Sequence, residues 1–360
     1  MPPNEWAKPL FLFRLRCDDL GGPTFPPPLR ALRLIAVVAV LLTFPAAAQA
    51  APRVSIFYYP WYGTPTLDGG WAHWYAPGST TLDIASNYFP VRGLYSSSDE
   101  RVVRAQMREI AAAGVREVVS SWWGWGSPED LRLPLVLRSA RAGGLSAAIH
   151  LEPYPGRTIE TVEADIAHLQ RLGIMRFFVY RPFDIAKQDW AALRERVPGI
   201  QLYAQTSLAG RAAAAGFDGL YTYDILLWGP ESFPRLCAQA HKAGLLCLPS
   251  VGPGYEAERA TGDLRAKPRR DGATYDAMWK AAIRSGADGV TITSYNEWHE
   301  GTQIEPARTR TLRTAAAASF ESYDGAYGLH GRAAESAYLT RTAFWSAAFA
   351  RLHVFVPWLP

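Results

Sequence analysis

The chain has 360 residues, of which 49% are hydrophobic and 19% charged, and its formal net charge is +4. A chain of this size and composition can bury one large core, and because no basic run or stripe stands out, we expect no nucleic-acid partner. The thirteen Trp and seventeen Tyr are unusual for a plain core. They favour either dense aromatic packing or a surface that stacks on the apolar faces of sugars.

The first predicted element is an export signal. The apolar run LIAVVAVLLTF at 34–44 follows two arginines, and the segment PAAAQA ends at Ala50 in the A-x-A arrangement of a cleavage site. We therefore predict that residues 1–50 are a leader and signal peptide and that residues 51–360 form one secreted or periplasmic domain. The apolar run is too short for a comfortable bilayer span, so no stable membrane span is expected in the mature chain. An uncleaved N-terminal anchor is the alternative.

Beyond the leader, short β-branched and aromatic runs alternate with longer segments of helical period. Strands are predicted at 54–60, 115–123, 146–154, 175–181, 200–207, 217–224, 245–252 and 288–298. Helices are predicted at 99–114, 127–144, 158–173, 229–244, 274–287 and 334–352. This alternation predicts an α/β fold with a parallel sheet, and eight repeats fit a single-domain (β/α)8 TIM barrel. The competing open sheet commonly carries a Gly-rich phosphate loop after its first strand, where YYPWYGTP stands instead.

Two cysteines, Cys237 and Cys247, remain beyond the predicted leader. The first falls on a predicted helix and the second on the strand that follows it. The pair can form one disulfide or stand as two buried thiols, and the sequence leaves both readings open. The sequence assigns no oligomeric state.

The unusual residues gather where the predicted strands end. Active sites of such barrels lie at the C-terminal ends of the strands, so we expect one catalytic face there, lined by aromatic, carboxylate and histidine groups. The predicted substrate-binding residues are Tyr58, Trp61, Asp68, Trp71, His73, Trp122, Trp123, His150, Glu152, Tyr154, Tyr223, Tyr255, Asn296, Trp298 and His299. For His150 and Glu152 the alternative is a hydrogen-bonded pair that fixes the barrel rim.

The segment SYNEWHEGTQIEP at 294–306 holds three glutamates after the last predicted strand. Glu297 and Glu300 are three residues apart at a strand-to-loop turn, so both can face one pocket. We predict that they are the catalytic pair of a glycoside hydrolase, in which one group protonates the leaving oxygen and the other acts at the sugar. The short spacing favours retention, with one of them as a direct nucleophile. Glu305 has no assigned role beyond an ion pair with Arg308 or Arg310.

Other interpretations of the same segment are weaker. A solvated loop explains the charges but not Trp298 or the strand that leads into the loop. A metal site could use Glu297, His299, Glu300 and Glu305, but there is no H-E-x-x-H helix and no Cys/His framework, so no metal and no cofactor are predicted. Serine hydrolase chemistry lacks its G-x-S-x-G elbow. A purely sugar-binding protein needs the aromatic residues but not the close carboxylate pair.

Several motifs together resemble glycoside hydrolase family 99, the endo-α-mannosidases. They are YYPWYGTPTLDGGWAHW at 58–74, YSSSD at 95–99, HLEPY at 150–154, FDGLYTYD at 217–224, SVGPGYE at 250–256 and NEWHEGTQIEP at 296–306. The resemblance runs from about 54 to 345 and implies a (β/α)8 fold without a metal. It also implies endo-acting, retaining cleavage of internal α-1,2-mannosidic linkages in mannan or N-glycan-type substrates.

The resemblance also implies specific roles for the two glutamates. Glu297 deprotonates the 2-hydroxyl of the sugar, which attacks C1 to give a 1,2-anhydro sugar, and Glu300 is the general acid and then the base. The distal subsite separates glucosyl from mannosyl preference, and one of Trp122, Trp123 and Trp125 is expected there. Two alternatives stay open, namely an endo-glycosidase of another α-linked polysaccharide and an α-mannoside-binding protein without catalysis.

Overall fold

A computed structural model describes residues 53–75, 84–309 and 320–354 of the chain. The predicted leader and its cleavage point, residues 1–50, lie outside the described residues. Nine parallel strands form one sheet. They are β1 (Arg53–Tyr58), β2 (Glu117–Trp122), β3 (Ser146–Leu151), β4 (Arg176–Val179), β5 (Gln201–Gln205), β6 (Gly219–Tyr221), β7 (Leu246–Leu248), β8 (Ser250–Val251) and β11 (Gly289–Ile292). The intervening β9 (Tyr255–Ala257) and β10 (Asp263–Lys267) form a separate antiparallel hairpin.

The sheet closes into a barrel through one strand that is divided at a proline. The order around the sheet is β7-β6-β5-β4-β3-β2-β1-β11-β8, and only Pro249 separates β7 from β8 in the chain. Proline has no N–H to donate to a ladder, so the regular pairing is interrupted there. The first half pairs with β6 and the second with β11. The eight predicted strands are therefore confirmed as one barrel, with the seventh in two pieces.

Helices follow most of the strands. They are α1 (Pro65–Asp68), α2 (Glu100–Ala112), α3 (Pro128–Ala142), α4 (Ile159–Arg171), α5 (Lys187–Arg196), α6 (Ala209–Ala214), α7 (Phe233–Lys242), α8 (Glu258–Thr261), α9 (Ala273–Arg284), α10 (Arg332–Glu335) and α11 (Ala337–Val354). The two short helices α1 and α8 lie within loops. The predicted caps form: Asp99 accepts a hydrogen bond from the N–H of Arg101, and Ser127 accepts one from Asp130. Helices α5 and α6 were not predicted from the sequence, because they are short and rich in Ala or Arg. The helix predicted at 334–352 is divided at Ser336 into α10 and α11.

Predicted strands run longer than the observed ones at their C-terminal ends. The predicted strand 288–298 stops pairing at Ile292, and the predicted strand 146–154 stops at Leu151. Beyond Ile292 the chain turns back on itself, and Ser294 N donates to Thr302 O over 3.0 Å while Ile304 N donates to Ser294 O over 3.0 Å. The residues with the most chemistry therefore leave the ladder and form loops above the barrel.

Aromatic side chains fill the inside of the barrel. A compact cluster holds Phe57, Tyr59, Phe178, Tyr203, Tyr221 and Tyr223. Phe178 and Tyr203 stack with ring centroids 4.8 Å apart, and Phe57 meets Phe178 edge to face at 5.9 Å. This packing gives the loops at the top a rigid floor.

The two cysteines are bonded. Cys237 on α7 and Cys247 on β7 form a disulfide with their Cα atoms 5.1 Å apart. The bond ties a helix to the barrel strand that follows it. Among the described residues, no helix is both long and apolar enough to cross a bilayer.

Candidate active site

Glu297 and Glu300 lie in the loop that follows β11, over the C-terminal end of the barrel. The segment from Ser294 to Glu305 folds as a tight loop whose two arms exchange backbone hydrogen bonds. Ser294 also accepts a hydrogen bond at Oγ from the N–H of Glu297, over 2.8 Å. These bonds hold both carboxyl-bearing residues in place through their backbone.

The side chain of Glu297 is enclosed and held by backbone donors. The residue is 2% exposed, and Oε1 accepts the N–H of His299 over 3.0 Å. Burial raises the pKa of Glu297 well above its usual value, and the negative charge of Glu300 raises it further. The backbone N–H groups of His299 and Glu300 act in the opposite direction, because they stabilise the anion.

Glu300 is partly open to the cleft and makes one side-chain hydrogen bond. Its Oε2 accepts the hydroxyl of Tyr223 over 3.3 Å, which is a long bond. Burial raises the pKa of Glu300 to about 7, and the charges of Asp224 and Glu152 contribute in the same direction. A carboxyl group with that pKa is partly protonated at neutral pH, as a general acid requires.

A pair of tyrosines supports Glu300 from below. Tyr59 and Tyr223 share a short hydrogen bond between their hydroxyl groups. Because a hydroxyl has a single proton and Tyr223 gives its proton to Glu300, Tyr59 donates to Tyr223 when Glu300 is ionised. The ring of Tyr223 also stacks on His150 at 5.2 Å and meets Tyr180 edge to face at 5.3 Å.

The third carboxylate of the cleft is Glu152, which follows β3. Its Oε1 accepts the hydroxyl of Ser121 over 2.9 Å and lies 2.8 Å from Nδ1 of His150. Ser121 Oγ in turn accepts Nε1–H of Trp123 over 3.1 Å. The alternative interpretation of His150 and Glu152 as a hydrogen-bonded pair is met only as a close contact, because Nδ1 is not aligned for a hydrogen bond to the carboxylate. Both side chains are buried, and the charge of Glu152 raises the pKa of Glu297 and of Glu300.

Three aromatic rings form one wall of the cleft. Trp61 stacks on His73 with centroids 4.4 Å apart and planes 4° apart, and His299 lies 6.4 Å from Trp61 on a similar plane. His299 donates Nε2–H to the carbonyl of His73, which ties the loop after β1 to the loop from Ser294 to Glu305, here called the catalytic loop because it carries the candidate pair Glu297 and Glu300. Burial lowers the pKa of His299, so the ring is neutral at pH 7.

Four predicted sugar contacts are corrected, because their side chains point into the core. Tyr58, Trp122, Asn296 and Trp298 are each 0% exposed. Tyr58 donates to Gln106 over 2.7 Å, and Trp122 donates to Asp130 over 3.0 Å. Asn296 is bonded to the backbone of Tyr59, and Trp298 donates to Glu305 over 2.9 Å. These four residues position the loops above them and leave no surface for a ligand.

The remaining predicted contacts lie farther out or have partners of their own. Asp68 accepts hydrogen bonds from Arg132 over 2.9 Å and from Ser98 over 2.7 Å. Tyr154 donates to Asp165, and Tyr255 donates to Asp263 over 3.0 Å. Trp71 is 49% exposed. Asp68 therefore holds a loop in place, whereas the side chain of Trp71 is half exposed and accessible to a ligand.

Glu305 differs from the other two glutamates. It is 0% exposed and accepts four hydrogen bonds, from Arg92 (2.8 Å), Gln106 (2.9 Å), Tyr95 (2.7 Å) and Trp298 (2.9 Å). The predicted ion pair with Arg308 is wrong: the partner is Arg92, and Arg308 instead lies over the ring of Phe89. Arg310 lies outside the described residues. Glu305 is a structural group beneath the loop.

Four further residues near the two glutamates were not among the predicted site residues: Tyr59, Tyr180, Ser121 and Asp224. All four lie close to the C-terminal ends of strands, and this position in the sequence could have identified them. Asp224 acts on Glu300 through its charge. Within the described ranges, no group of three or more His, Cys, Asp or Glu side chains is placed to hold a metal ion.

The arrangement can perform acid–base chemistry on a sugar. Two carboxyl groups stand close enough for the charge of one to raise the pKa of the other, and they differ in their donors. Glu297 receives backbone N–H groups that favour its anion, while Glu300 faces the charge of Asp224, which favours its protonated form. Such an asymmetric pair separates a base from an acid.

Known proteins of one glycoside hydrolase family are similar to most of this chain. The family model described as glycosyl hydrolase family 99 matches residues 51–351. A glycoprotein endo-alpha-1,2-mannosidase-like protein of Danio rerio is 32% identical, and the match covers 71% of this chain and 71% of that protein. The glycoprotein endo-alpha-1,2-mannosidase of Rattus norvegicus is 28% identical, over 71% of this chain and 68% of its own length.

A solved structure shows the same fold. The GH99 endo-alpha-mannosidase of Bacteroides thetaiotaomicron superimposes with a TM-score of 0.74 and 31% sequence identity, over 83% of this chain and 98% of that chain. The match confirms the predicted (β/α)8 barrel. With a family model that spans most of the sequence and a barrel whose last strand leads into the loop that carries Glu297 and Glu300, this chain is a glycoside hydrolase that belongs to glycosyl hydrolase family 99.

Proposed function

We propose that this chain is an exported, endo-acting α-mannosidase that cleaves internal α-1,2-mannosidic linkages in mannan or N-glycan-type substrates with retention of configuration. The observation that carries the proposal is the pair Glu297 and Glu300, close together at the floor of an aromatic cleft in a family 99 chain. The names of the similar fish and rat proteins, endo-alpha-1,2-mannosidase-like and endo-alpha-1,2-mannosidase, support the substrate class.

In the proposed first step, Glu297 takes the proton of the sugar 2-hydroxyl while O2 attacks C1. The bond from C1 to the leaving oxygen breaks, and Glu300 gives that oxygen its proton. In the second step, Glu300 takes a proton from water, the water oxygen attacks C1, and the C1–O2 bond opens as O2 recovers the proton from Glu297. Two displacements at C1 give net retention, and both glutamates return to their starting states.

The local donors support this division of roles. Both carboxyl groups have raised pKa values because they are buried and close together, so the pair holds one proton more readily than none. Backbone N–H groups favour the anion on Glu297, and the charge of Asp224 favours the proton on Glu300. We infer that the shared proton resides on Glu300, as the first step needs.

Product analysis tests the activity. Yeast mannan and high-mannose N-glycans are digested with the wild type and with Glu297→Gln and Glu300→Gln, and the released oligosaccharides are sequenced. The proposal predicts oligosaccharides from internal α-1,2 cleavage, with losses of about 10²-fold or more in each variant. Cleavage of a different α-linked polysaccharide would favour the other endo-glycosidase. Binding of α-mannosides without cleavage at long incubation would favour a sugar-binding protein.

Two further measurements test the mechanism. Proton NMR of the first-formed product reports whether the anomeric configuration is retained. A 2-deoxy-2-fluoro substrate lacks the attacking hydroxyl, so it is expected to be neither hydrolysed nor attached to the protein. A covalent adduct on Glu297, detected by mass spectrometry of the intact protein, would show instead a direct carboxylate nucleophile.

Export is proposed from the leader alone. Expression of the full sequence in a secreting host, followed by N-terminal sequencing of the exported protein, is expected to give a chain that starts at Ala51. A product that stays in the membrane fraction with residues 34–44 intact would favour the N-terminal anchor.

A further inference from the structure

Arg269 makes an unusual set of contacts directly behind the catalytic loop. Its Nη2 donates to two backbone carbonyls of that loop, Gly301 O over 2.9 Å and Gln303 O over 2.8 Å. Gly301 is the residue after Glu300, so the guanidinium group holds the chain next to one of the two catalytic candidates.

The environment of Arg269 shows that this contact is its main polar role. Its Nε and Nη1 atoms are buried without a well-aligned hydrogen-bond partner, although the hydroxyl of Tyr338 interacts with the guanidinium group. Within the described part of the chain, no ion pair with a carboxylate is formed. Three tyrosine rings surround the cation, with the centroids of Tyr88, Tyr323 and Tyr338 at 4.6, 4.7 and 4.7 Å. Aromatic faces stabilise a buried guanidinium without competing for the two carbonyls.

Neighbouring groups hold the same few residues. The N–H of Glu256 donates to Glu300 O over 2.8 Å, and the hydroxyl of Tyr323 donates to Gln303 O over 2.9 Å. Gly301 has φ +62°, and a Cβ there would come within 2.9 Å of Glu256 O. The backbone carbonyl groups between Glu300 and Gln303 therefore accept hydrogen bonds that hold this segment in place, and Arg269 donates two of them.

The side chain of Glu300 needs this support. Its carboxyl group has the single long hydrogen bond from Tyr223, whereas Glu297 has a backbone donor at 3.0 Å. A group with so few side-chain contacts takes its position from its backbone. A displacement of about 1 Å can cost on the order of 10²-fold in rate.

We infer that Arg269 is a positioning residue for Glu300: it clamps the carbonyls of Gly301 and Gln303 and so fixes where the acid/base carboxyl group stands. The inference rests on the proposed function, because it takes Glu300 to be the general acid. It predicts that loss of Arg269 harms proton donation to the leaving group more than any other step.

The test compares two leaving groups with one glycosyl donor. A mannobiosyl fluoride needs little help from a general acid, whereas the trisaccharide with the same mannobiosyl unit linked to mannose needs full protonation. For Arg269→Met, kcat/KM on the trisaccharide is expected to fall by about 30- to 100-fold and on the fluoride by less than about threefold. Arg269→Lys keeps a cation with several N–H donors on one nitrogen, but its shorter side chain lacks the planar group that packs between the tyrosine rings, so an intermediate, equally selective loss is expected.

Arg194→Met is the matched control. Arg194 also donates to a backbone carbonyl, that of Ile200, and it pairs with Asp218 over 2.8 Å. Ile200 directly precedes β5, so these contacts lie at the N-terminal end of that strand, whereas the catalytic loop lies at the C-terminal end of the barrel. Its loss is expected to change both substrates by the same factor. If Arg269→Met and Arg269→Lys also lower both rates equally, Arg269 is only structural and the inference fails.

Glu300→Gln, measured on the same two substrates, separates this inference from the proposed function. If Glu300→Gln does not discriminate between the fluoride and the trisaccharide, the acid role of Glu300 is wrong. If it discriminates and the Arg269 variants do not, the acid role stands and the positioning role is overturned. Thermal unfolding of each variant is recorded, and Arg269→Lys supplies the result if Arg269→Met does not fold.

Discussion

Asn296 and Tyr59 exchange two hydrogen bonds across the barrel top: Tyr59 N–H donates to Oδ1 over 2.8 Å, and Nδ2 donates to Tyr59 O over 2.9 Å. The bonds join the residue after β1 to the loop after β11, which are neighbouring strands from opposite ends of the sequence. Since Asn296 directly precedes Glu297, this amide sets the position of the first catalytic candidate relative to the barrel.

Asn296→Ala is expected to destabilise the protein by about 2–4 kcal/mol, because the N–H and C=O of Tyr59 would be buried without partners. Urea unfolding measures the loss. Asn87→Ala is a suitable control, since Asn87 is also buried but its amide bonds Glu256, on β9 and away from the backbone of Tyr59, and the bond to Glu256 O is long at 3.5 Å. Equal losses in the two variants would contradict the role given to Asn296.

The pH profile of activity is expected to report Glu300. Its pKa is about 7, so the protonated acid is present below that pH and is lost above it. On the alkaline side, kcat/KM is expected to fall tenfold for each pH unit. Tyr223→Phe removes a donor that stabilises the anion, so the pKa of Glu300 rises and the alkaline limb moves to higher pH.

Tyr180→Phe provides the comparison for that shift. Tyr180 contacts the ring of Tyr223, but its hydroxyl is not the one that bonds Glu300. The alkaline limb should stay closer to the wild-type position than in Tyr223→Phe. A limb that moves to lower pH in Tyr223→Phe would show that Tyr223 does not stabilise the Glu300 anion.

Substitution by glutamine is expected to change the free energy of unfolding in opposite directions at Glu305 and at Glu300. Glu305→Gln breaks a buried ion pair with Arg92 and disturbs four hydrogen bonds, so it should destabilise by about 2–4 kcal/mol. Glu300→Gln removes a carboxylate that the fold disfavours, so it should stabilise at pH 8 by about 1–2 kcal/mol.

The pH dependence of that stabilisation has a definite sign. The pKa of Glu300 is raised from 4.5 to about 7 in the folded state, so its favourable contribution is full below 4.5 and is lost as pH rises through 7. Glutamine resembles the protonated form at every pH. The advantage of Glu300→Gln over the wild type should therefore be small at pH 5 and larger at pH 8, as measured by urea unfolding at both values.

The disulfide predicts a separate stability effect. Cys237 and Cys247 close a loop with a sequence separation of 10, and loss of such a bond costs about 2–3 kcal/mol. Cys237→Ala/Cys247→Ala should lower the unfolding midpoint and leave KM unchanged, since neither residue lines the cleft. Two free thiols in the native protein, found by alkylation and mass spectrometry without reductant, would contradict the bond.

Much of the fold followed from local pattern. Alternating β-rich and helical periods predicted eight strands in a parallel barrel, because strand and helix repeats are properties of short segments. The rule that barrel sites lie at C-terminal strand ends then placed Glu297, Glu300, Glu152 and His150 on one face. Pattern was weaker where helices are short, as in α5 and α6, and where a strand stops pairing.

Local pattern alone was therefore enough to predict the barrel and the face on which the carboxyl and aromatic groups lie. Packing decided which strand-end residues are accessible: Trp122, the last residue of β2, is in the core and donates to Asp130, whereas Trp123, the first residue beyond the strand, is partly exposed and donates to Ser121. It also decided that Glu305 is structural and Glu300 is available. Glu305 accepts hydrogen bonds from Arg92 and Gln106, which belong to distant segments, whereas Glu300 accepts one from a single tyrosine hydroxyl. Such long-range partners are set by tertiary packing, so they cannot be predicted from a thirteen-residue motif.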